Sequence, residues 1–200
     1  SGEMKEILSG MMPPDADDLV ASVTCEEAVL LNPGAQDGEG DPLPRLAAID
    51  CGIKYNIMRE LCRRFEVVWC PASLDFDSIV SEWHPDALFA SNGPGDPAHS
   101  GDAACARDSL AAAVRADMPV MGICLGHQLM GLAAGLRTYQ LRYGHRGANQ
   151  PVVDLRSGRV LITSQNHGYA VEDPDKGMLA PHPSGARSEI GENVLEAVDP

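Results

Sequence analysis

From Leu46 to Ala133 the chain alternates between short apolar runs and stretches with helical spacing, and few folds accommodate that alternation. Leu46–Asp50, Glu66–Cys70, Ala87–Ala90 and Val120–Ile123 are short and almost continuously apolar, so they read as strands buried on both faces. Between them, residues 54–64 place Ile57, Met58 and Leu61 at helical spacing, a polar helix is expected at about 75–82, and an alanine-rich helix at about 102–116. Strand, helix and strand in succession build βαβ crossovers. The expectation is therefore an α/β domain with a mainly parallel sheet covered by helices on both faces. Beyond Ala133 the texture changes to short strands at about 138–142, 152–155 and 159–164. Residues 1–45 are different again, rich in Pro, Gly, Asp and Glu, with Asp37–Pro42 as the clearest linker. They read as a linker and the tail of a preceding domain, and 46–200 as the main domain.

Within this alternation, Gly122-Ile123-Cys124-Leu125-Gly126 puts one cysteine between two glycines where a strand gives way to a helix. A turn that sharp strains its central residue, needs small neighbours and leaves the side chain accessible. The following helix directs free N–H groups and partial positive charge at the sulfur, which is expected to lower the thiol pKa and to provide donors for an oxyanion. Cys124 is the candidate nucleophile. The alternative is a buried cysteine that only packs a tight turn.

Loops after the carboxyl ends of parallel strands share one edge of the sheet, where ligands bind. One such loop is Ser91-Asn92-Gly93-Pro94-Gly95-Asp96-Pro97. Its glycines can present backbone N–H groups and complete an oxyanion hole with Leu125, or the segment is an ordinary turn with Asp96 capping the next helix. A second is Ser164-Gln165-Asn166-His167-Gly168-Tyr169, read as a loop following a strand. Amides there suit the amino-acid end of a substrate, and His167 could act as a base or simply order its own loop. Helical periodicity turns His127 away from the sulfur, and His145 falls among Gly and Arg in an expected turn.

The net charge of −14 argues against nucleic acid or anionic lipid as a partner. Three lysines beside an acidic excess suit a protein kept soluble at high salt. The cysteines, Cys25, Cys51, Cys62, Cys70, Cys105 and Cys124, lack zinc-like spacing and C-x-x-C pairs, so free thiols in a reducing compartment are expected, five of them packing residues. No signal peptide or membrane span is legible, and a cytoplasmic location is expected. No metal site is read from the sequence.

Taken together, Gly122–Gln128, Ser91–Pro97, Tyr143–Val152 and Thr163–Val171 resemble the class I glutamine amidotransferases, most closely the branch that serves carbamoyl-phosphate synthetase. The likeness runs in order from about Leu46 to Val171 and weakens after about 175. It implies hydrolysis of L-glutamine through a Cys124 thioester, with ammonia passed to a large synthetase subunit. That subunit would use ATP and bicarbonate to make carbamoyl phosphate for arginine and pyrimidine synthesis; no cofactor is implied in this chain. Carried over by resemblance, Gly93, Gly95 and Leu125 surround the amide oxygen, and Gln128, Asn166, Gly168 and Tyr169 hold glutamine. Two other readings stay open: a relative that binds glutamine or its partner subunit without catalysis, and a cysteine hydrolase of another class.

The resemblance also implies a general base and its orienting acid in a downstream His-Pro-Glu. Here the downstream His182-Pro183 is followed by Ser184. The expected domain is therefore incomplete at its C-terminal end, with impaired turnover and with a sheet edge or core face left uncovered.

Overall fold

The computed structural model describes residues 17–154 and 157–172, together with the backbone of 195–197. Its elements in chain order are β1 (Val29–Leu30), β2 (Arg45–Asp50), α1 (Tyr55–Leu61), β3 (Glu66–Pro71), α2 (Phe76–Trp83), β4 (Ala87–Ala90), α3 (Asp102–Arg115), β5 (Val120–Gly122), α4 (Leu125–Ala133), β6 (Thr138–Asp154), β7 (Arg159–Val171) and β8 (Leu195–Ala197). Five strands form one sheet in the order β1-β3-β2-β4-β5. The pairs β2–β3, β2–β4 and β4–β5 are parallel, and β1 joins β3 antiparallel.

Strand period decides which face each side chain meets. Ala47, Ile49, Val68, Cys70, Leu88 and Ala90 point to one face, where they pack with Ile79 of α2, Ala106 and Leu110 of α3, and Leu125 and Leu129 of α4. Leu46, Ala48, Val67 and Phe89 point to the other, under Met58, Ile57 and Leu61 of α1. Both faces are covered, as expected, by three helices on one side and one on the other. The alanines of α3 recur at helical spacing (Ala103, Ala106, Ala113), and their small side chains let the helix lie close on the sheet. Asp75 starts α2 by accepting a hydrogen bond from the Ser78 N–H (2.9 Å), and His84 ends it in the left-handed region at φ 47°.

The parallel register aligns the strand ends that matter. Ile49 lies opposite Ala90, and Ala90 opposite Gly122, so the chain leaves β2, β4 and β5 along a single edge.

Part of the segment expected as linker is laid on this domain. Val20 is buried in the larger core, Asn32 donates to the Cys62 and Phe65 carbonyls and accepts from the Val67 N–H, and Leu31 N–H bonds the Val67 carbonyl. Strand pairing and polar side chains hold this segment together with scattered apolar contacts at Val20, Ala28 and Leu30, and none of these makes an apolar run, which is why composition alone reads it as a joint.

The largest departure from expectation lies after α4. In place of short strands separated by loops, β6 and β7 form one long antiparallel ribbon, with β8 on the other edge of β6. Register shifts between Gln140 and His145 and between Gly147 and Gln150 mark irregularities. Glycines and polar residues hide the period of a strand this exposed. Val160 and Ile162 of β7 are 61% and 66% exposed, and Met121 on β5, at the end of the five-stranded sheet, is 58% exposed.

Candidate active site

Strand β5 passes into α4 through Ile123 and Cys124 alone. Cys124 occupies the position before the helix at φ 54°, ψ −107°, a backbone conformation that costs a non-glycine residue about 1–3 kcal/mol. The glycines on either side make the turn possible. A Cβ on Gly122 would lie 2.4 Å from the Gly126 carbonyl carbon, and one on Gly126 would lie 2.0 Å from the Ala90 oxygen. Backbone hydrogen bonds from Ile123 N–H to Ala90 (3.1 Å) and from Gly126 N–H to Ser91 (3.0 Å) fasten the turn to β4.

Those bonds also bring in the loop after β4. Ser91 is fully buried, and its hydroxyl accepts from the Cys51 N–H at 2.9 Å. Asn92 donates to the Gly52 carbonyl (2.8 Å) and accepts from the Lys54 N–H (3.2 Å). Gly93 fits between β2 and the elbow: a Cβ there would meet the Cys51 oxygen at 2.1 Å and Leu125 Cδ2 at 2.7 Å. Gly95 has φ +89° and faces Leu19 instead. Asp96 does not cap α3. Its carboxylate accepts from Ala98 N–H within the loop, and the first N–H of α3, that of Asp102, donates to Asp18 at 2.9 Å.

Burial reverses the expected titration of the nucleophile. Cys124 is half-buried, and loss of solvent pushes its thiol above the ordinary value of 9.0. The Leu125 N–H and, more weakly, the Lys54 charge act in the opposite direction without prevailing. The sulfur also lies 3.8 Å from the Asn166 carbonyl oxygen, an acceptor that favours S–H over the thiolate. The helix end thus supplies a donor toward the sulfur, as expected, but does not ionise it. The other cysteines are free, and burial drives Cys25, Cys51 and Cys70 up to about 12, in keeping with packing roles.

The second expected loop is part of β7. His167 lies opposite His145, and Asn166 opposite Arg146, so His145 too sits in a strand and not in a turn. Gln128 on α4 is 6% exposed, and its amide donates to the Tyr169 carbonyl at 2.6 Å. His167 Nδ1 lies 2.7 Å from the same carbonyl oxygen, and its Nε2 lies 2.8 Å from Gln165 Oε1 and 3.3 Å from His145 Nδ1. These contacts tie Gln128, His167 and Tyr169 together and bring Asn166 against Cys124. Desolvation, and then the charge of His167, hold the His127 pKa below the usual histidine value. His182 lies outside the described residues. Among the described residues no group of three His, Cys, Asp or Glu is placed to hold a metal ion.

Residues 47–191 match the family profile described as glutamine amidotransferase class-I. The chain belongs to that family. The class I amidotransferase resemblance carried by the elbow and its neighbouring loops is thereby shown.

Among the relatives of this amidotransferase chain is a carbamoyl phosphate synthase small chain from Methanosarcina mazei, 44% identical over 158 residues, covering 78% of this chain and 42% of that one. Another from Thermotoga maritima is 44% identical over 162 residues, covering 80% and 38%. The chain thus spans about two fifths of the length of these relatives. A crystal structure of a Thermoplasma acidophilum protein, provisionally described as one of the GMP synthase subunits, matches with TM-score 0.50 at 18% identity, covering 64% of this chain and 67% of that one, which shows the fold.

Sequence reading missed several residues that position this amidotransferase site. Asp50, 2% exposed at the end of β2, accepts from the Gly52, Ile53 and Cys25 N–H groups and so shapes the turn below Gly93. A buried aspartate closing an apolar strand was the available signal. Lys54 and Asp18 carried none, because each acts on groups distant in sequence.

Proposed function

We propose that this chain is the glutamine-hydrolysing part of a carbamoyl-phosphate synthetase small subunit. Cys124, deprotonated at the moment of attack, adds to the side-chain amide carbon of L-glutamine, and the C–N bond breaks to release ammonia. Water then cleaves the γ-glutamyl thioester to glutamate and restores the thiol. Gly93, Gly95 and Leu125 surround the developing oxyanion, and Gln128, Asn166, Gly168 and Tyr169 hold glutamine. Ammonia passes to a large subunit in the cytoplasm that binds ATP and bicarbonate, with no cofactor in this chain. The observation that carries the reading is the strained Cys124 at the start of α4, in a turn fastened to Ala90 and Ser91 at the head of the Gly93 loop.

The raised thiol pKa makes a proton acceptor necessary, and the downstream His182-Pro183 is followed by Ser184 and comes only 15 residues after His167, too soon for the family's His-Pro-Glu. These 200 residues are expected to turn glutamine over slowly or not at all while retaining the nucleophile. Incubation with diazo-oxo-norleucine, a glutamine-like electrophile, followed by peptide mass spectrometry, tests the reading. Modification at Cys124, protected by glutamine, supports it. Inertness toward this reagent favours a binding module, and normal ammonia release abolished by Cys124→Ser would reveal a base elsewhere.

A further inference from the structure

Residues 17–25 run over the carboxyl edge of the sheet and touch the loops that follow β2, β3 and β4. Thr24 Oγ1 accepts from the Ala72 N–H (2.9 Å) after β3, and Cys25 N–H donates to Asp50 (3.0 Å) at the end of β2. Val23 packs over Gly52, where a Cβ would come within 3.1 Å of Val23 Cγ2, and Leu19 packs over Gly95. Asp18 locks the other end: one oxygen accepts from its own turn at Ala21 N–H (3.0 Å), the other from Asp102 N–H (2.9 Å) at the start of α3.

That last contact joins residues 84 apart in sequence, and the fold makes room for it. Gly101, before α3, has φ 104° and no side chain to cap the helix, and a Cβ there would sit 2.0 Å from the Asp18 carboxylate. The loop holding Gly93 and Gly95 is therefore gripped from two sides, by Leu125 of the elbow beside Gly93 and by Leu19 beside Gly95. A loop of glycines and prolines has few side chains with which to hold itself.

We infer that residues 17–25 form a clasp for this loop and that Asp18 is its positioning residue, keeping Gly93 and Gly95 where they meet the glutamine amide. The inference rests on the proposed glutaminase reading.

The test compares the full 200-residue chain with its Asp18→Asn, Asp18→Ala and Leu19→Ala variants. Cys124 labelling is followed with diazo-oxo-norleucine, which needs the glutamine site, and with iodoacetamide, which needs only the sulfur. Asp18→Ala is expected to slow the first reaction about tenfold and leave the second unchanged, with Asp18→Asn intermediate. Equal slowing of both reactions, or of neither, overturns the clasp. Should Asp18→Ala fail to fold, Asp18→Asn and Leu19→Ala decide by the same criterion. No labelling of the parent chain by diazo-oxo-norleucine refutes the glutaminase reading instead. Hydrogen exchange at residues 91–97 then judges the clasp alone: faster exchange in Asp18→Asn supports it, and unchanged exchange overturns it.

Discussion

Gly93→Ala probes the contact between loop and elbow with a single carbon. The new Cβ would lie 2.1 Å from the Cys51 carbonyl oxygen and 2.9 Å from its carbon, and both are backbone atoms that no rotamer change removes. Real Cβ contacts scarcely fall below 3.0 Å, so loop and strand must separate by about 0.9 Å. The hydrogen bonds that would stretch are Cys51 N–H to the Ser91 hydroxyl, at 2.9 Å, Asn92 to the Gly52 carbonyl, at 2.8 Å, and Lys54 N–H to Asn92, at 3.2 Å. Overpacking costs about 1–3 kcal/mol and one weakened hydrogen bond about 1 kcal/mol, which together predict a loss of about 2–4 kcal/mol in urea unfolding. A displacement of about 1 Å at a reacting centre costs about a hundredfold, so labelling by diazo-oxo-norleucine is expected to fall by that order. Iodoacetamide should still reach Cys124, because the new carbon presses on the Cys51 backbone and the end of the Leu125 side chain and not on the sulfur. Unfolding and labelling both identical to those of the parent chain would refute the packing argument.

Two further predictions concern charge. Because burial raises the Cys124 thiol above 9.0, its alkylation by iodoacetamide should keep climbing by about tenfold per pH unit through the neutral range, and a plateau near pH 7 would show an ionised sulfur. Glu66 accepts from the Gly34 N–H (2.8 Å) and pairs with Arg45 (2.6 Å), with its side chain 12% exposed; the Gly34 N–H first, and Arg45 next, hold its pKa below 4.5. Its contribution to stability is then present above that value and lost as pH falls through the lowered folded pKa. Glu66→Gln should cost about 1–3 kcal/mol in urea melts at pH 7 and make the acid limb shallower, and an unchanged acid limb would count against the pairing.

The clearest sequence signals were those set by local geometry. Short apolar runs located β2, β3, β4 and β5 to within a residue; β2, β3 and β4 are buried on both faces and have no polar side to confuse the pattern, while β5 leaves Met121 exposed. Gly122 and Gly126 announced the elbow, since only small residues permit the approach of Gly126 to Ala90. The ribbon was misread because β6 and β7 are largely solvent-facing and glycine-bearing, so burial imposes no period on them.

By itself the sequence determined a mainly parallel α/β sheet, a cysteine at a strained turn and membership of an amidotransferase family, since each depends on residues close together along the chain. Only the tertiary structure decided that the Cys124 thiol is pushed up, that Asp18 closes α3, and that Asn166 meets the sulfur. Desolvation and long-range hydrogen bonds depend on which surfaces come together, and no spacing along the chain encodes that directly.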